Sequence, residues 1–262
     1  MGVLEQVLAV YDPTYRLPPS LDTSEGTGPR GLLTSRLGCA HALIVVAVPK
    51  RDRLAERREA TRLEILSAAW DAAREAGLPG LTLRDVAARV GMQPPSLYSH
   101  FASKNAIYDA MFEQAWRECL VHVTALEERL PNQPRARLIA IAEDYFDWAV
   151  ADVARHQLMD ENVIPGFRPS EQAYAPSLEV YALYRRILHG MGLTSDEDAD
   201  VCTALNAGLV SQQLANDPGG QRWRRLIPRV MSMFADDVGL PPDTAAAGPA
   251  RPNGRARRKK AS

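Results

Sequence analysis

Hydrophobic positions recur every three to four residues over most of the chain beyond Arg53, and almost nowhere before it. Leu63, Leu66, Trp70 and Ala73 share one side of a first helix, which Gly77 closes. After a short "LPG" loop, Thr82 with Asp85 approximates a capping box. Leu83, Val86, Ala87 and Val90 then face one way until Gly91 ends a second helix. Pro94 and Pro95 suit the start of a third helix of about seven residues, where a missing N–H costs little and φ is already set. Ser103 can cap a fourth, which carries Ile107, Ala110, Met111 and Gln114 along one face.

Five further helical segments follow, at roughly 134–152, 154–163, 170–191, 196–216 and 219–238. Pro131 and Pro134, Pro165-Gly166, Gly190 and Gly192, and Pro218-Gly219-Gly220 separate them. The last has the cleanest stripe, Trp223, Leu226, Ile227, Val230, Met231 and Phe234, with Pro228 expected to kink it mildly. The segment before it carries Ala204, Ala207, Gly208 and Ser211, small residues that let another helix approach closely. Leu and Ala are plentiful and β-branched clusters few, so the expected fold class is all-α.

The flanks differ in kind. Prolines and glycines interrupt every candidate periodic segment of residues 1–50. Two readings of this extension stand: translation beginning near Val46 or Val48 at a non-Met codon, or an irregular arm. Residues 241–262 are rich in Pro, Ala and Gly and then basic, a disordered tail. Between the flanks the expected division is a first helical domain at 51–113 and a helical body at 114–240.

A formal charge of −1 hides an uneven distribution. Lys50–Arg62 holds six bases against three acids, residues 121–250 hold 11 bases against 18 acids, and residues 251–262 hold six bases and no acid. An acidic body with basic flanks suits an anionic partner at one end. Three widely spaced cysteines give no disulfide framework or zinc pattern. No basic stretch followed by an apolar run opens the chain, and the ten apolar residues of "CAHALIVVAV" are too few to span a bilayer. A cytoplasmic protein with no membrane partner is expected.

Two short helices meeting at "VGMQP" have helix-turn-helix geometry. The second would enter the major groove, with Leu97 and Phe101 turned inward and Gln93, Pro94, Pro95, Ser96, Ser99 and His100 outward. Gln can pair with adenine, Ser can meet several bases, and a Pro ring can pack on a thymine methyl. Tyr98 can reach a phosphate. Lys104 and Thr82 stand at helix starts, where N–H groups favour anions. Arg51, Arg53, Arg57 and Arg58 can add backbone or minor-groove contacts, or form a solvated face of Arg/Glu pairs. For His100, bracing the turn and touching DNA are equal alternatives.

"TLRDVAARVGMQPPSLYSHFASKNAIYDAM" resembles the DNA-binding domain of the tetracycline-repressor (TetR) family. Thr82, Ala87, Gly91, Leu97, Tyr98, His100, Phe101 and Lys104 fill its characteristic places; Asn105 departs from an acidic residue common after the Lys. The resemblance covers roughly residues 54–113. It implies an all-α homodimer: an N-terminal three-helix head on a double-stranded operator, then a divergent helical domain for effector binding and dimerisation. The expected function is a transcriptional repressor released by a small-molecule effector; the alternative is an effector-independent activator or global regulator.

For the effector pocket the best lining is Trp116, Tyr145, Trp148, Met159, Phe167 and Tyr181, since pockets are mostly apolar. The bland alternative is that these rings fill the core. For the dimer interface the candidates are Ala204, Gly208, Ser211, Trp223, Ile227 and Val230. His156, Asp160 and Glu161 have a spacing compatible with a metal, but a surface ion pair is the better reading. No nucleophile, phosphate loop or second His accompanies the carboxylates, so neither enzyme activity, metal nor cofactor is expected.

Overall fold

The computed structural model describes residues 53–243; the expectations for residues 1–50, for Arg51 and for residues 244–262 of the tail lie outside them, while 241–243, expected in that tail, are described and bring Asp243 to the helix Pro134–Ala151. The chain divides into two compact units: residues up to Arg117 with Ala154–Leu178, and Glu118–Val153 with residues from Glu179 onward. This grouping is not the linear division at 113/114, because 154–178 joins the first unit.

The first unit opens with α1 (Arg53–Ala76), whose inner face of Ile65, Leu66, Ala68, Ala69, Trp70, Ala72 and Ala73 is rich in small residues. Leu63 departs from the expected stripe and is 54% exposed. Its neighbour Ile65 is buried instead, so the inward face is rotated toward Ile65 and Ala69. α1 ends at Gly77, whose φ of +75° is a left-handed conformation that costs glycine nothing. Leu78 and Leu81 then plug the turn. α2 (Leu83–Arg89) starts at Thr82, whose Oγ1 accepts from Asp85 N at 3.1 Å and donates to Asp85 Oδ2 at 2.6 Å.

α3 (Pro94–Leu97) has four regular residues, not seven. The two prolines supply its first turn without N–H donors. The next donors reach only three residues back, Tyr98 to Pro95 O, Ser99 to Ser96 O and His100 to Leu97 O, so the helix tightens into turns. Ser103 caps α4 (Lys104–Glu127) by accepting from Ala106 N at 3.1 Å.

The remainder of this unit is α6 (Val153–Asp160), shorter than the expected 154–163, and the first turns of α7 (Glu171–Gly190). They join through α4: Phe167 meets Tyr108 edge-on at 5.6 Å, Tyr174 stacks on Phe112 at 5.9 Å, and Asp109 accepts from both Ser170 N and Ser170 Oγ at 2.6 Å.

In the second unit α5 (Pro134–Ala151) packs on α8 (Asp196–Asn216) and on α9 (Ile227–Asp237), and α8 also meets α9. The expected helix 219–238 is a 3₁₀ turn (Arg224–Leu226) followed by α9. Pro228 does not kink a longer helix; it sits in the first turn of α9, where its missing N–H has no intrahelical partner to lose. Gln213 fixes this entry by accepting from Trp223 N at 3.1 Å. Asp243 caps α5, accepting from Arg135 N at 3.1 Å and Ala136 N at 3.0 Å, while the Arg135 guanidinium binds the Leu240 carbonyl.

Candidate nucleic-acid interface

The exposed surface of α3 and its flanks is a product of caps and turns. Gly91, at φ +66°, turns the chain out of α2, and Met92 N closes the turn on Ala87 O at 2.9 Å. Leu97 and Phe101 are buried at 1% and 4% exposure, which fixes α3 by its inner side. Gln93, Pro95, Ser96, Tyr98 and Ser99 are consequently exposed and Pro94 half-buried, with Tyr98 at 56%. Gln93 precedes the helix without using its amide as a cap.

The remaining predicted residues are placed as follows. Lys104 is the first residue of α4, with Nζ 5.3 Å from the centroid of the Tyr108 ring, a cation–π contact that keeps its charge at the helix start. The Thr82 hydroxyl gives its hydrogen to Asp85, so its demonstrated work is to start α2. His100 is half-buried, with Nδ1 buried and without a hydrogen-bond partner. Arg53 and Arg57 are exposed on the first turns of α1.

Arg58, one of the arginines expected to meet the DNA backbone or minor groove, is exposed but engaged within the chain: its Nη2 donates to Ser99 O at 2.9 Å. Arg62, which the sequence marks only as one of the bases of Lys50–Arg62, has a defined place. It donates from Nη1 to His100 O at 2.5 Å and lies 4.2 Å over the Phe101 ring. The available signal was its spacing of four from Arg58.

The expected pocket residues divide between the units. Trp116, Met159 and Phe167 are buried in the first; Tyr145, Trp148 and Tyr181 are half-buried in the second. Trp148 lies 4.4 Å from the His122 ring, and His122 Nε2 is 2.7 Å from Asp144 Oδ2. An open groove of about 480 Å³ in the first unit is lined by Ala72, Ala76, Gly80 and Ala88 beside the Glu75–Arg89 pair, and by none of the six expected residues.

Of the interface candidates, Ala204, Gly208 and Ser211 are exposed on α8, and Trp223 and Val230 are half-buried. Ile227 is the exception: it is fully buried, because the first turn of α9 aims it into its own unit. His156 is buried rather than part of a surface pair, with Nδ1 3.0 Å from Asp160 and Nε2 3.8 Å from Glu161. Burial acts to lower its pKa, but the Asp160 hydrogen bond and the two carboxylate charges outweigh that and raise it. Among the described residues no group of His, Cys, Asp and Glu is arranged to hold a metal, and no helix is long and apolar enough to cross a membrane.

Residues 65–111, spanning the helix-turn-helix, match the family described as bacterial regulatory proteins, tetR family. This segment is a TetR-family DNA-binding domain. It is similar to the tetracycline repressor protein class A of Escherichia coli, at 28% identity over 60% of this chain and 69% of that one. It is also similar to the transcriptional regulator BetI of Burkholderia mallei, at 31% identity over 34% of this chain; the match spans 46% of BetI. The fold matches that of a tetR-family regulatory protein from Rhodococcus RHA1, with a TM-score of 0.53 and 17% identity over 69% of this chain and 98% of that one. The regular elements of the described residues are all helical, the matched segment is that of bacterial regulatory proteins, and the relatives the chain resembles are regulatory proteins.

Proposed function

We propose that this protein is a homodimeric repressor of the TetR type that leaves its operator when a small molecule binds its helical body. The observation that carries the DNA half is the exposed edge of Gln93, Ser96 and Tyr98, with Pro94 half-buried between them, on a helix whose inner side is fixed by Leu97 and Phe101, with Lys104 heading the next helix. Gln93 and Ser96 read base edges and Pro94 packs on a thymine methyl. Tyr98, Lys104, Arg53 and Arg57 hold phosphates, and the half-buried His100 stands at the end of the edge. Thr82 contributes by fixing α2 across the backbone.

The dimer half is supported by an exposed small-residue face on α8, where Ala204, Gly208 and Ser211 run beside Val201, itself 44% exposed, with Met233 exposed at 62% on α9. Two copies joined there would present two α3 helices to half-sites about 34–36 Å apart, one turn of DNA. The effector half is supported by the similarity to a tetracycline repressor and by the ring and thioether side chains that each unit holds, Trp116, Met159 and Phe167 in the first and Tyr145, Trp148 and Tyr181 in the second. An effector acts by preferring the conformation in which the two heads are wrongly spaced.

The test is selection of duplexes from a random library, followed by a small-molecule screen for release. A near-palindromic motif and a releasing compound are expected. A motif with no palindromic character counts against the dimer, and a motif that no compound releases moves the reading to an effector-independent regulator.

A further inference from the structure

α3 is too short to hold itself. Four regular residues close about one turn, and the first turn of a helix costs more than it returns. The carbonyls of Pro95, Ser96 and Leu97 are taken by donors of the following turn. Those of Ser99 and His100, two and three positions beyond Leu97, are met by another helix. Arg58 and Arg62 stand one turn apart on α1 and supply one guanidinium each, to Ser99 O at 2.9 Å and to His100 O at 2.5 Å. Arg62 is fixed on two further sides, with its Cζ 4.2 Å over Phe101 and its Nε 3.7 Å from Glu59. Positive charge at the carbonyl end also suits the dipole of the turn.

We infer that Arg58 and Arg62 are positioning residues for DNA reading: they set the angle of α3 against α1, and so the place where Gln93 and Ser96 meet the groove, without touching the nucleic acid. The inference rests on the proposed role of α3 as the recognition helix. Base-edge hydrogen bonds demand a fixed geometry, whereas phosphate contacts from a flexible Lys tolerate a rotation of the helix. Loss of the clamp therefore falls on sequence discrimination. A guanidinium lies flat on a ring while its nitrogens reach a carbonyl; an ammonium presents a point charge and satisfies one of these contacts at a time.

The probes are the duplex selected by the wild-type protein and a random-sequence duplex of equal length. Arg62→Ala is expected to weaken binding to the selected duplex about tenfold or more, and to the random duplex less than about threefold, with the slope of log K against log[salt] unchanged. Arg58→Ala should do the same more weakly, its bond being exposed. Arg62→Lys, which keeps the charge and a donor and serves if the Ala variant does not fold, should recover part of the discrimination. Two results overturn the inference: equal losses on both duplexes with a slope shallower by about 0.9, the mark of a direct phosphate contact, or undiminished discrimination in both Arg62→Ala and Arg62→Lys, or in Arg62→Lys alone if the Ala variant does not fold. If the wild-type protein selects no duplex at all, it is the recognition role of α3 that fails, before any arginine is changed.

Discussion

Replacing Tyr108 by Phe removes one oxygen from the centre of the first unit and little else. The side chain is 1% exposed and its hydroxyl donates to the Leu78 carbonyl at 2.5 Å. Burial pushes its pKa up to about 12, so it remains a donor across the neutral range. The contacts of the ring survive the change, since Phe167 meets it edge-on at 5.6 Å and Lys104 lies over its face. Stranding a buried carbonyl costs about 1–3 kcal/mol. Leu78 O also accepts from Leu81 N at 3.3 Å, so it is left with one partner and the cost belongs at the low end, about 1 kcal/mol. Denaturant unfolding followed by Trp emission should show a lower midpoint with an unchanged m-value. The melting temperature should fall by about 2–4 °C for a protein of this size. A variant as stable as the parent would show that the bond contributes nothing net; a loss above about 3 kcal/mol would show that the ring moved as well.

Three other outcomes are expected. Lys104→Ala should weaken binding to all duplexes alike and make the salt slope shallower by about 0.9, roughly a 3.5-fold difference between 50 and 200 mM salt; an unchanged slope in titrations removes Lys104 from the phosphate contacts. Gly208→Trp should yield folded monomers with weak operator binding, because a Cβ there meets nothing within 4 Å in its own chain; an intact dimer by sedimentation rules the α8 face out. His156 gains more stability from Asp160 and Glu161 when charged than when neutral, and its native pKa is raised above 6.5. That stability is fully present below the unfolded pKa and lost as pH rises through the native one, so unfolding midpoints should fall over that window in the parent and not in His156→Gln; parallel curves for the two proteins would refute this role.

What could be read from the sequence was what neighbours in the chain decide. Thr82 with Asp85, Gly91, the two prolines and Ser103 each act within three or four residues, and each cap and turn stands where those residues put it. The length of α3 escaped because prolines at a helix start say nothing about where the next donors will reach. Arg58 and Arg62 escaped because their partners lie 41 and 38 residues away. Asp243 and its contact with Arg135 span 108 residues, and no periodicity reports such a pairing. The stripe from Trp223 to Phe234 gave the apolar side of a helix but not what covers it. Ile227 therefore went to the wrong neighbour, while Val230, one turn on, is half-buried.

The double proline at the start of α3 also bears on how such a head can change its target over generations. Elsewhere in the motif a side chain starts each helix: Thr82 and Ser103 are tied to backbone amides, and their replacement would cost about 1 kcal/mol of helix stability. At α3 the rings of Pro94 and Pro95 do that work covalently, and Gln93, standing in the cap position, makes no cap bond. Drift at Gln93 is thus uncoupled from folding. A lineage can try other side chains there, and with them other operator sequences, while the helix beneath remains in place.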